Sequence, residues 1–116
     1  MFSFSQKSGY HRLPYGFVLD RYNPPSAIEL NKLFSKCKLQ THPVDKLGLA
    51  LERSVCHLSI FEEKSTKLYG FVRATSDHGL NANLWDLAVL PGNYQDHLIA
   101  ILVDHVLKIL RREMPG

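Results

Sequence analysis

The stretch LYGFVRATSDHGLNANLWDLAVLPGNYQ, residues 68–95, decides the fold. It holds two segments rich in β-forming residues, at 68–75 and 81–90, and the polar turn TSDHG (75–79) joins them. The second segment stops at the Pro-Gly pair 91–92, and after a short polar turn an apolar helical pattern begins. We therefore expect an antiparallel strand pair whose second strand leads directly to the N-terminus of a helix.

The rest of the chain predicts two more strands and two more helices. Strands are expected at 15–22 and 55–62, and helices after Asn23, at 41–54 and, following the decisive stretch, at 94–113. The predicted order is β-α-α-β-β-β-α. This order indicates an α/β (α+β) fold with a mixed, mainly antiparallel sheet of about four strands.

Two helices show their expected ends and buried faces in the sequence. Asn23 is the predicted N-cap of the first helix, with Pro24 at its first helical position. The apolar stripes expected to face the core are Ile28, Leu30, Leu33 and Phe34 in the first helix and Leu98, Leu102, Val106, Ile109 and Leu110 in the last.

The 116 residues suit one domain, which we place at 15–116 after a flexible N-terminal tail at 1–14. A formal charge of +3 without a dense Lys/Arg stripe argues against nucleic acid as a partner. Cys37 and Cys56 match no zinc or redox spacing, and the histidines show no metal pattern, so we expect reduced thiols and no metal. The absence of a signal-like or membrane-length apolar run predicts a soluble cytoplasmic protein.

The central stretch resembles the GNAT superfamily of acetyl-CoA-dependent N-acetyltransferases, in particular its cyanobacterial and plant-plastid branch. Members of this branch read approximately GF-x-RA-x-SD, then A-x-x-WD-x-x-V-x-P-x-YQ-G-x-G-x-G. The matching residues are Gly70, Phe71, Arg73, Ala74, Ser76, Asp77, Ala82, Trp85, Asp86, Val89, Pro91, Tyr94 and Gln95. The resemblance covers about residues 15–113 and implies acetyl transfer from acetyl-CoA to an amine, with the plastid stroma as an alternative location.

The resemblance also implies where acetyl-CoA binds. In the family the fourth strand carries a bulge, and its backbone binds the pantetheine arm, which here corresponds to Leu87, Ala88 and Val89. The family motif Q/R-x-x-G-x-G/A binds the pyrophosphate through backbone N–H groups at a helix N-terminus, where such donors lack intrahelical partners. That motif falls on Gln95, Asp96, His97, Leu98, Ile99 and Ala100.

Two side chains depart from this motif. Leu98 replaces a glycine, so we expect its side chain near the pyrophosphate path. Asp96 replaces another glycine; its carboxylate would repel the pyrophosphate and could cap the helix itself, while His97 could offset that charge. The family's further strand, helix and closing strand are also missing before Gly116.

These departures support an alternative function, a catalytically inactive GNAT-like interaction or scaffold module. Its exposed sheet edge along residues 82–90 would bind a partner strand, either from another protein or in a homodimer.

Asp86 is the one candidate for the general base that acetyl transfer to an amine requires. Strict strand alternation places it on the face opposite Trp85 and Leu87. The competing interpretation makes Asp86 a structural partner of Arg73 on the neighbouring strand. No acceptor amine is identified by any residue.

Overall fold

A computed structural model of the protein describes residues 12–113. Within them the chain forms β1 (Phe17–Asp20), α1 (Ala27–Lys36), α2 (Val44–Arg53), β2 (Cys56–Glu62), β3 (Leu68–Ser76), β4 (Ala82–Val89) and α3 (Gln95–Glu113). The strands form one sheet in the order β1-β2-β3-β4, and every pairing is antiparallel. The predicted element order and fold class are confirmed.

Helices cover both faces of this sheet because alternate residues of β3 point to opposite sides. Val72 packs in a cluster with Leu102 and Val106 of α3. Phe71, the preceding residue, packs in a second cluster with Phe34 of α1. The sheet therefore separates an α3 side from an α1 side.

Gly70 allows α3 to approach the sheet closely. A Cβ atom at this position would lie 3.2 Å from Leu102 Cδ1 and 3.3 Å from Val89 Cγ2, which is tighter than ordinary contact. Gly70 thus lets α3 pack closely over β3 and β4, since a larger residue would have to push Leu102 or Val89 aside by a few tenths of an ångström.

The beginning of α1 differs from the prediction. Ser26, not Asn23, is the N-cap, and it forms a capping box with Glu29: the Ser26 hydroxyl accepts from the Glu29 amide at 3.1 Å. The backbone amide of Asn23 instead donates to Asp20 Oδ1 at 3.2 Å. The helix starts later than expected. Ile28 is 58% exposed, contrary to the prediction, because with about 3.6 residues per turn it lies on the opposite side of α1 from Leu30; Leu30, Leu33 and Phe34 are buried as predicted.

The predicted stripe of α3 is confirmed in the core. Leu98, Leu102, Val106 and Ile109 are buried and Leu110 packs against them. Residues 1–11 of the predicted tail lie outside the described residues; of the rest, Leu13 packs against the α3-side cluster.

Candidate functional site

β4 carries a bulge at Asp86 and Leu87. Phe71 pairs with Ala88 and Arg73 pairs with Trp85, so two residues of β4 stand opposite the single Val72 of β3. Asp86 has a φ of +56°, in the left-handed region that Asp and Asn enter more readily than most residues. A bulge in this strand was implied by the family resemblance, and it begins one residue before the expected segment.

The bulge overturns the predicted orientation of Asp86. Its Oδ2 accepts from Arg73 Nε at 2.7 Å. Arg73 pairs with Trp85 and its guanidinium carbon lies 5.8 Å from the indole centroid, so Asp86 and Trp85 share the α1 side of the sheet. Leu87 packs against the α3-side cluster instead. Strict alternation failed because a bulge adds one residue to the strand and resets the faces beyond it.

The ion pair with Arg73 makes Asp86 a structural partner, as the competing interpretation predicted. The side chains of Arg73 and Asp86 are only 15% and 18% exposed. Arg73 also donates from an Nη atom to Ser54 Oγ at 3.4 Å, which ties β3 to the end of α2. One carboxylate oxygen of Asp86 is thus already engaged by a cation.

His42 lies beside the other oxygen and was not singled out by the sequence. Its Nε2 is 3.8 Å from Asp86 Oδ1. Asn31 of α1 fixes the His42 backbone by two hydrogen bonds, donating to its carbonyl at 2.8 Å and accepting from its amide at 3.0 Å. The backbone of His42 is thus held in place, while its side chain is 37% exposed and open to solvent.

The strand–helix junction is closed by the side chain of Gln95. Leu90 donates its amide to Tyr69 of β3, so the backbone groups of the preceding Val89 face away from β3, toward the open edge. The Val89 carbonyl accepts from Gln95 Nε2 at 3.1 Å and from Cys37 Sγ at 3.2 Å. These contacts anchor the start of α3 and the end of α1 to the same point of the edge strand.

The side chain of Leu98 faces the core and not the solvent at the start of α3. Its side chain is fully buried in the α3-side cluster, and its amide donates to Tyr94 O at 2.8 Å. The helix begins at Gln95, and three residues later position 98 faces the sheet rather than the solvent. Leu98 is therefore a core residue in a position where the family motif has glycine.

Asp96 is exposed at the start of α3. We predicted that its carboxylate would cap the helix, but within residues 12–113 it accepts no hydrogen bond, and the Asp96 amide has no acceptor there. The neighbouring His97 places its Nε2 2.6 Å from the carbonyl oxygen of Arg12. Ile99 is half-buried and Ala100 is buried, one turn further along α3.

The described part of the chain contains neither a cluster suited to bind a metal ion nor a helix suited to span a membrane. Among these residues no group of three or more His, Cys, Asp or Glu side chains is arranged to hold a metal ion. No described helix is long and apolar enough to cross a membrane.

β4 is an edge strand of the sheet, so the backbone at Leu87–Val89 borders an open edge.

Proteins of known name are similar in sequence to this chain, although no family profile matches it. An "Uncharacterized N-acetyltransferase ycf52" of Porphyra purpurea is 34% identical over 86 residues, which are 72% of this chain and 49% of the relative. A ycf52-like N-acetyltransferase of Prochlorococcus marinus is 28% identical over 99 residues, 84% of this chain and 55% of the relative. The chain thus spans about half the length of the curated relatives it matches.

Solved structures share the fold alone. A probable acetyltransferase of Staphylococcus aureus, SA2161, superposes with a TM-score of 0.71 at 18% identity, covering 82% of this chain and 71% of that one. The N-acetyltransferase YhbS of Escherichia coli, solved in complex with CoA, has a TM-score of 0.62 at 17% identity, covering 87% of this chain and 59% of that one.

Proposed function

The chain belongs to the GNAT superfamily, and we propose that it forms the acetyl-CoA-binding part of an N-acetyltransferase that acts on an amine. The observation that carries the proposal is the junction between β4 and α3. An edge strand with a bulge at Asp86–Leu87 runs into a helix N-terminus where the Asp96 amide has no acceptor among residues 12–113. We further propose a location in the cytoplasm or the plastid stroma.

The residues at this junction fit acetyl-CoA. The open edge at Leu87, Ala88 and Val89 offers backbone groups to the amides of the pantetheine arm, as an added strand would use them, except for the Val89 carbonyl, which already accepts from Gln95 and Cys37. The first turn of α3, from Gln95 to Ala100, offers N–H donors and the positive end of the helix dipole to the pyrophosphate. Bound there, acetyl-CoA would supply an activated acetyl thioester.

Asp96 weakens this binding without blocking it. Its side chain is exposed, so water and salt screen the repulsion between the carboxylate and a phosphate. At about 4 Å in a water-like medium two unit charges interact by about 1 kcal/mol, which corresponds to about a fivefold loss of affinity. Leu98 adds no steric obstacle, since its side chain lies in the core.

His42 is the group we propose to accept the proton of the substrate ammonium. It lies on the α1 side of the sheet, next to the bulge of the edge strand, with Asp86 3.8 Å from its Nε2. Losing that proton leaves the nitrogen lone pair free to attack the acetyl carbonyl; a C–N bond then forms, the C–S bond breaks and the thiolate takes a proton. His42→Gln should lower the rate of acetyl transfer and leave CoA binding unchanged.

A second candidate function is a catalytically inactive interaction module. It is favoured by the internal bonds of the motif: Gln95 donates to Val89, and the Leu98 amide donates to Tyr94. In that case the open edge of β4 would bind a strand of another protein instead of pantetheine.

Isothermal titration of CoA and acetyl-CoA into the purified chain separates these functions. Acetyl-CoA binding in the micromolar range, strengthened about fivefold in Asp96→Asn, is the expected result. Asp104→Asn on the same helix is the matched control and should bind like the parent, because its carboxylate is paired with Lys108 far from the first turn. Absence of binding up to millimolar ligand would exclude the enzyme and leave the interaction module.

A further inference from the structure

We propose that the chain also associates with a second copy of itself through a partly exposed stripe along α3. This α3 stripe consists of Asp96, Ile99, Ala100, Val103, Leu107 and Arg111, which recur every three or four residues on one side of the helix. It borders an open groove of about 530 Å³ whose lining residues all belong to α3.

The stripe has the composition of a helix–helix contact. Its middle is apolar, and Leu107 keeps 37% of its surface exposed although the opposite side of α3 is buried in the core. Its ends are charged with opposite sign, acidic at Asp96 and basic at Arg111. Neither charge has an ion-pair partner among residues 12–113.

The charges along the stripe are self-complementary. When two copies of α3 lie antiparallel, the acidic end of each stripe faces the basic end of the other. A twofold axis passing between residues 103 and 104 would pair Asp96 of one copy with Arg111 of the other and place the two Val103 side chains beside the axis. The two ends of the stripe lie about 22 Å apart along the axis. An antiparallel helix pair therefore buries the apolar middle and forms two equivalent ion pairs, as a closed twofold interface requires.

Asp104 is the one charge near the proposed axis. Its carboxylate is already paired with Lys108 Nζ at 3.0 Å, one turn along the same helix. The pair is close to neutral as a unit, so the two Asp104 side chains of a dimer do not bring two uncompensated like charges together. The contact of a single helix is smaller than a standard protein interface, and we expect a dimer of micromolar affinity.

Sedimentation equilibrium of the 116-residue chain, with charge-reversed variants, tests the proposal. The parent should dimerise, and Asp96→Arg or Arg111→Asp alone should each weaken the dimer about tenfold, because both symmetric ion pairs become repulsive. The combined Asp96→Arg/Arg111→Asp variant should recover the parent affinity. Asp45→Arg, the same charge change in the first turn of α2, is the matched control and should leave the dimer intact.

Cross-linking then locates the contact. In a Cys37→Ser background, Val103→Cys should form a disulfide-linked dimer near the axis, whereas Asn83→Cys on the sheet edge should not. A parent that stays monomeric at millimolar concentration overturns the proposal. So does a combined reversal that fails to recover affinity, or cross-linking at position 83 alone, which would place the dimer contact on β4.

Discussion

Restoring the family glycine at position 98 should destabilise the protein rather than repair its phosphate site. Leu98 is fully buried between α3 and the sheet. Truncating such a leucine to alanine costs about 2–5 kcal/mol, and replacing alanine by glycine within a helix costs about 1 kcal/mol more. Leu98→Gly should therefore lose about 4 kcal/mol of a total stability that is about 5–15 kcal/mol for a typical domain.

The same substitution should bring no gain in CoA affinity. The amide of residue 98 already donates to Tyr94 O at 2.8 Å, so removing the side chain frees no N–H donor for a phosphate. Asp96→Gly, the other restored glycine, is the matched comparison. Asp96 is exposed, so this change should alter stability by about 1 kcal/mol or less while it removes a negative charge from the helix N-terminus.

Urea unfolding followed by circular dichroism, with CoA titration of every variant that stays folded, measures both effects. The reasoning is refuted if Leu98→Gly lies within about 1 kcal/mol of the parent. It is equally refuted if this variant binds CoA more tightly than Asp96→Gly does, because position 98 would then control the phosphate site.

Three further predictions concern the sheet. In a double-mutant cycle of Arg73→Met and Asp86→Asn, urea unfolding should give a coupling energy of about 1–3 kcal/mol, since the pair is mostly buried; a value near zero would make it a surface contact. Burial lowers the pKa of His57 from its ordinary value of 6.5, so its contribution to stability is present above pH 6.5 and is lost as pH falls below it. His57→Gln should flatten the dependence of the melting temperature on pH in that window, whereas an unchanged slope would assign it to other groups. Gly70→Ala should lower stability by about 1–3 kcal/mol in thermal unfolding because its Cβ would crowd Leu102; a neutral effect would mean that α3 can shift.

Much of the candidate site depends on the backbone conformation of one residue, Asp86, which the period-2 pattern of a strand does not predict. Period-2 alternation describes a regular strand, and it placed Asp86 opposite Trp85. The left-handed conformation of Asp86 adds a residue to β4 and turns its carboxylate toward Arg73 and His42. The sequence contains Asp86 and His42 but no local signal that joins them, because they meet only when the α1–α2 loop packs over the sheet.

By itself the sequence determined the element order, the core face of α3 and the relationship to the GNAT superfamily. The first two depend on local periodicity and turn residues, which neighbouring positions encode. The relationship to the superfamily came from the resemblance of the motif residues between Gly70 and Gln95. The sequence also contains the signal for the start of α1, because Ser26 and Glu29 form a capping-box signature, although Asn23 was predicted as the N-cap. Tertiary structure alone decided on which side of the sheet Asp86 lies and that His42 lies beside the bulge. Those outcomes depend on side-chain orientations that are set by the bulge in β4 and by packing between elements distant in sequence. No local sequence pattern encodes these orientations.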